Sequence, residues 1–142
     1  MNPFLSLRNY EEFVYTLLHR HASIVSSTLV VAQRGAKLAT VLGEIVLHDG
    51  YRLTIAELVT FDKGPLTLER YGYEVWRGNE KLYWYDSQPH PDDPALSSTH
   101  PHHKHVPPDI KHNRIPAPGL SLSKPNLPFL IAEIENDLIG HK

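Results

Sequence analysis

The chain has 142 residues, a formal net charge of −2 and no cysteine. That length suits one globular domain with a core of its own. The missing thiols exclude a disulfide framework, a thiolate zinc finger, an iron–sulfur cluster and a cysteine nucleophile, and the charge excludes a global basic field for nucleic acid. Histidine and proline stand out at 10 and 12, with six of the histidines and ten of the prolines between Pro89 and Pro128. No run approaches the ~18 apolar residues of a membrane span. The N-terminal segment carries Arg8, Glu11, Glu12, His19 and Arg20 where a signal peptide needs an apolar stretch. The expectation is a soluble, cytoplasmic protein without a membrane role.

The first element is an amphipathic helix over 9–22, with Asn9 as cap, Glu12 at its third position and an apolar stripe of Phe13, Val14, Leu17 and Leu18. Five β-rich runs then fill 24–86: Ile24 to Gln33, Lys37 to His48, Tyr51 to Phe61, Leu66 to Arg77 and Glu80 to Asp86. Arg34-Gly35, Asp49-Gly50, Lys63-Gly64-Pro65 and Gly78-Asn79 break them. Read as two-residue hairpin loops, Asp49-Gly50 sets Val46 opposite Leu53 and Leu42 opposite Glu57. Gly78-Asn79 in turn sets Tyr73 opposite Trp84 and Tyr71 opposite Asp86. In that register Glu44 and Glu57 are diagonal neighbours on one face, where joint ionisation would be resisted unless a cation such as Arg34 neutralised them. From 87 to 125 periodicity is absent, which predicts a long His/Pro-rich loop. Asn126 and Pro128 then open a C-terminal helix over 126–140, with Leu127, Leu130, Ile131, Ile134 and Leu138 on one face and Gly140 at its end. The predicted fold class is α+β over 1–142: an antiparallel five-stranded meander with both helices on one face of the sheet. An uncovered edge strand could pair with a second copy, so a homodimer is a further expectation.

The chemistry concentrates in Thr99-His100-Pro101-His102-His103-Lys104-His105-Val106, preceded by Asp86 and His90. Imidazole is the side chain that serves as acid and base near neutral pH without heavy tuning. Lys104, Lys111 and Arg114 against the single acid Asp109 make the segment locally cationic. Three readings stand open. One is a phosphodiester-cleaving site, with one His as base, another as acid and a cation on the charged transition state. A second is a Zn²⁺ or Ni²⁺ site completed by Asp86, Glu44 or Glu57. The third is a solvated loop. His102 and His103 point in opposite directions wherever the chain is extended. Glu69, Tyr71, Tyr73, Trp84 and Asp86 share the predicted hairpin face and offer rings for stacking a base beside a carboxylate, although aromatic cross-strand pairs also pack without function. Arg70, Trp76, Tyr83 and Tyr85 take the other face. His19, His21, His48 and His141 look structural.

Leu68-Glu69-Arg70-Tyr71-Gly72-Tyr73, the hairpin end Tyr85-Asp86, Pro89-His90 and Pro101-His102-His103-Lys104-His105-Val106 resemble the TumE family of toxins from toxin–antitoxin pairs. The likeness runs over roughly residues 38 to 106. It departs from the family pattern at Ser87, where Asn is usual, at Pro91, in place of a second His, and at His100, in place of Phe. The resemblance implies a small cytoplasmic toxin acting with a DNA-binding antitoxin, with RNA cleavage the usual supposition. Taken with the residue chemistry, it points to a metal-independent endoribonuclease. His102, His103, His105, Lys104, His90 and Asp86 are the catalytic candidates, and Tyr73, Tyr71, Arg70, His100, Lys111 and Arg114 the substrate-binding ones. No cofactor is expected, with Zn or Ni at the His cluster as the alternative. The competing function is a metal- or ligand-binding interaction module without turnover, and a third reading makes the loop the antitoxin-docking segment, tested by deleting 107–125, with toxicity residing in the sheet.

Overall fold

The computed structural model describes residues 2–62 and 64–140, so Lys63 of the third predicted break and His141 lie outside the described residues. Helix α1 (Leu7–Tyr15) starts earlier than expected, because Ser6 and not Asn9 is its cap: the Ser6 hydroxyl accepts from the Asn9 N–H at 3.1 Å. Its stripe of Tyr10, Phe13 and Val14 is buried. After a break at Thr16 the short α2 (Leu17–Arg20) finishes the helical segment.

The sheet has eight strands and is antiparallel throughout: β1 (Ile24–Ser27), β2 (Val30–Gln33), β3 (Leu38–Leu47), β4 (Tyr51–Thr60), β5 (Thr67–Arg77), β6 (Glu80–Asp86), β7 (His103–His105) and β8 (Arg114–Pro116). The five-stranded expectation fails at both ends. The first predicted strand is two, both paired with β3. They part at Thr28-Leu29, where the Thr28 hydroxyl accepts from the Glu44 N–H at 3.0 Å and the backbone presses on Gly43. At the other end, the predicted His/Pro loop supplies β7 and β8, which extend the meander beyond β6.

Registers differ from the two-residue hairpin reading by small, physically explicable slips. His48, Asp49 and Gly50 form a three-residue loop with positive φ at Asp49 (66°) and Gly50 (83°), so Val46 faces Arg52 and Ile45 faces Leu53. This register brings Val41, Ile45 and Leu47 to the same face as Leu53, Ile55 and Val59, all buried. At roughly 1.5–3 kcal/mol for each buried aliphatic side chain, that set outweighs the alternative built on Leu38 and Leu42, which stay 36% and 46% exposed. It also separates the predicted acidic pair. Glu44 sits on the open face with Arg52 at 3.2 Å, whereas Glu57 is buried, bonded to the Tyr10 hydroxyl at 2.5 Å and to the Tyr73 hydroxyl.

A bulge between Val75 and Trp76 shifts the β5–β6 ladder by one residue, pairing Tyr73 with Tyr85 and Gly72 with Asp86. Tyr71, Tyr73, Tyr83 and Tyr85 therefore share the inner face, and Trp84 and Asp86 take the outer one. Both terminal helices pack on the inner face. α3 (Leu127–Glu133) continues as a π-helical turn over Ile134–Ile139 and buries Leu127, Leu130, Ile131 and Ile134. Tyr85 donates to its Glu133 at 2.7 Å. The edge strands are short, and β8 ends in Pro116, which limits edge-to-edge pairing. Among the described residues no helix is long and apolar enough to cross a membrane.

Candidate functional site

Strand β7 sorts its three residues by alternation. His103 pairs with Asp86 and His105 with Trp84, so both imidazoles lie on the outer face. Lys104, opposite Tyr85, points to the inner face, where its ammonium meets Glu133 at 3.1 Å and lies over the Tyr83 ring at 4.2 Å. The cationic role expected of Lys104 at a phosphate is not available from there. Tyr73 is also withdrawn: fully buried, it donates to Glu57 and accepts from Asn126 at 3.2 Å.

On the outer face Asp86, His103 and His105 converge. The His103 Nε2 lies 2.8 Å from Asp86 Oδ1, the His105 Nε2 3.5 Å from Oδ2, and the two Nε2 atoms 3.1 Å from each other. Each ring is fixed from behind by backbone, with His103 Nδ1 3.1 Å from the Pro101 carbonyl and His105 Nδ1 2.8 Å from that of Ile110. A carbonyl only accepts, so both Nδ1 atoms carry hydrogen and both Nε2 atoms turn toward the carboxylate. Trp84 stacks on His105 at 3.8 Å and donates to the same Ile110 carbonyl at 3.1 Å, holding the 106–113 segment over the sheet. The two imidazoles are nearly sealed, 1% and 3% exposed.

Burial opposes charge on His103, yet the Asp86 hydrogen bond, the Pro101 carbonyl and the Asp86 charge hold it above the usual histidine range. Burial likewise raises Asp86, but His103 outweighs it and keeps the carboxyl below its ordinary value. His105, with burial dominant, falls below its usual value.

Around this centre lie more accessible groups. His90 meets His103 edge to face at 4.7 Å. His102 turns the other way, as its place next to His103 requires. It stacks on Tyr71 with its Nδ1 2.5 Å from the tyrosine hydroxyl, and burial followed by the fields of His100 and His103 lowers its basicity. Arg114 faces His105 across the β7–β8 ladder, and its buried Nε has no hydrogen-bond partner among the described residues. An open cleft of about 470 Å³, lined by Arg70, Tyr71, Asp86, Pro89, Pro101 and Leu122, reaches Asp86 from the surface. His100 and Lys111 are exposed beyond it. The structure thus brings together Asp86, His90, His102, His103, His105 and Arg114, with Arg70 and Tyr71 along the cleft. Trp84 as the plate behind His105 was beyond sequence reasoning, since only the β5–β6 bulge moves it to the imidazole face.

In this small α+β sheet protein a sealed imidazole–carboxylate cluster lies beside an open cleft whose charged lining residues are Glu69, Arg70 and Asp86. The family can be stated outright: a family model described as Toxin TumE matches residues 14–138, and the chain belongs to the TumE toxin family. It is a toxin of a toxin–antitoxin system, and an antitoxin is its partner. No curated protein matches the chain, and no solved structure does.

Proposed function

We propose that this toxin is an endoribonuclease whose reaction centre is the cleft lined by Arg70, Tyr71 and Asp86, beside His90 and His102, and that a DNA-binding antitoxin holds it in check. The observation carrying this reading is the placement of His90 and His102 next to Pro89 and Pro101 in the lining of a cleft that also holds Arg70 and Tyr71, with His102 stacked on Tyr71, in a protein with no overall basic field. An RNA phosphate in the cleft draws on Arg70 and Arg114 for charge. His102, braced by the Tyr71 hydroxyl, takes the 2′-hydroxyl proton, and His90 returns a proton to the leaving oxygen. This route needs no metal, and its acid–base work falls to the rings that can reach a substrate. Asp86, His103 and His105 position the loop that carries those rings.

The test is digestion of RNA by the purified toxin, with and without EDTA, with mapped ends. Cleavage leaving 2′,3′-cyclic phosphate in both conditions is expected. Loss of acid–base groups in His90→Ala and His102→Ala should slow it by about 10²-fold or more. Intact RNA in both conditions removes the reading and favours an interaction module without turnover.

A further inference from the structure

We propose that Asp86, His103 and His105 form a binding site for one divalent first-row transition ion, with Zn²⁺ the best match. The proposal goes beyond the ribonuclease reading and does not depend on it. It starts from three side chains whose donor atoms converge on one another. Both Nδ1–H groups are spent on the carbonyls of Pro101 and Ile110, so each ring, when neutral, turns its Nε2 lone pair toward the other and toward the carboxylate. Two lone pairs and a carboxylate packed at 2.8 to 3.5 Å repel unless something positive lies among them.

The spacing fits an ion. With Zn–N and Zn–O bonds of about 2.0–2.1 Å, tetrahedral donors stand roughly 3.3 Å apart; the two Nε2 atoms stand 3.1 Å apart, and the Asp86 carboxylate reaches that of His103 through Oδ1 at 2.8 Å and that of His105 through Oδ2 at 3.5 Å. The ligand types fit too, because imidazole nitrogen with carboxylate oxygen suits Zn²⁺ and its neighbours rather than Ca²⁺ or Mg²⁺. The surroundings are those of a metal site: each ligating ring is oriented through its far nitrogen by a backbone carbonyl, and Trp84 covers one ring face at 3.8 Å. The ligands come from two paired strands, β6 and β7, which fix them without a flexible loop. Three protein donors leave one coordination position for water. A bound ion would tie β6 to β7 directly beneath the cleft and under the ring of His90.

The competing occupant of the same space is a single proton on His103, and the experiment separates the two. The purified toxin is stripped by chelator dialysis and titrated with Zn²⁺ alone, followed by ¹H–¹⁵N long-range correlation of the imidazole nitrogens, and in parallel with Co²⁺ followed by visible absorption. Expected are one equivalent bound, with the Nε2 signals of two buried histidines shifting and their Nδ1 signals retained. A d–d band of a four- or five-coordinate ion should appear, and the melting temperature should rise by about 5–10 °C at a hundredfold excess over the dissociation constant. His105→Gln and Asp86→Asn should weaken binding at least a hundredfold, and the surface variant His48→Ala/His112→Ala should leave it unchanged. Because the nitrogen signals are read on the unaltered chain, a variant that misfolds does not decide the matter. Shifts confined to the surface histidines, or binding undiminished in His105→Gln, would overturn the proposal. RNA cleavage is read separately, so a toxin that cuts RNA but binds no ion, or the reverse, distinguishes the two proposals.

Discussion

The buried carboxylate of Glu57 offers the sharpest quantitative test of the fold. Glu57 is 2% exposed and rests on two phenolic donors, Tyr10 from α1 and Tyr73 from β5. Burial raises its pKa, and the two hydrogen bonds, which favour the charged form, only partly offset that rise. The sign follows from linkage. Below the unfolded value, about 4.3, Glu57 is neutral in both states and adds no pH dependence. As pH rises, the unfolded chain ionises first, so folding loses stability until the folded group ionises too. Tyr10→Phe removes a donor, raises the folded pKa further and deepens that loss. At pH 4 the variant gives up a neutral hydrogen bond worth about 1 kcal/mol; at pH 8, once the folded carboxyl has ionised, it gives up one to a charge, worth about 1.5–3 kcal/mol. For a chain of this size that is about 3–4 °C of melting temperature for the neutral bond and about 5–12 °C for the bond to the ionised group. Circular dichroism melts of both proteins at the two pH values measure it, and the titration of Asp86 and His103, common to both, cancels in the difference. In a Glu57→Gln background the cost of Tyr10→Phe should be equal at the two pH values. An equal cost in the unaltered background, or a larger one at pH 4, would refute the assignment of Glu57 as a charge-bearing brace.

Other consequences are more local. Lys104→Met should cost about 1–3 kcal/mol in urea unfolding, because the partly buried Glu133 carboxylate loses its cation and keeps the Tyr85 hydroxyl; toxicity in expressing cells grown cool should persist. Trp84→Phe keeps a ring on His105 but loses the bond to the Ile110 carbonyl. It should cost about 1 kcal/mol and speed amide exchange across 106–113. Gly43→Ala would set a Cβ 2.6 Å from the Thr28 carbonyl oxygen at a φ of 141°. A loss of at least about 2 kcal/mol is expected, and a melting temperature equal to that of the parent would contradict the close approach.

The elements that sequence periodicity located were those whose apolar residues repeat, namely the two terminal helices and the runs that became β3 to β6. The meander order and the packing of both helices on one face followed from them. Register was less legible. A two-residue and a three-residue loop at Asp49-Gly50 differ by whether His48 joins the strand, and the bulge after Val75 has no marker in Trp76 or Leu82. Those two slips parted Glu44 from Glu57 and moved Asp86 and Trp84 away from Tyr71 and Tyr73. The histidine tract was marked as the site by composition, but three residues between prolines carry too little alternation to announce a strand. Strand β7 forms because β6 offers an open ladder to pair with, a tertiary cause that no local pattern encodes.

The pairing of β7 with β6 also sets what kind of sequence change the tract can absorb. Its His-Lys-His order serves two sides of the sheet at once, imidazoles toward Asp86 and ammonium toward Glu133. Inserting or deleting one residue between Pro101 and Val106 would exchange those sides, sending rings into the tyrosine layer and a lysine to the carboxylate of Asp86. Length changes in this protein should therefore gather in 87–99 and 106–113, and a relative that carries a gap inside the tract should be read as having lost the centre, even where all of its histidines remain.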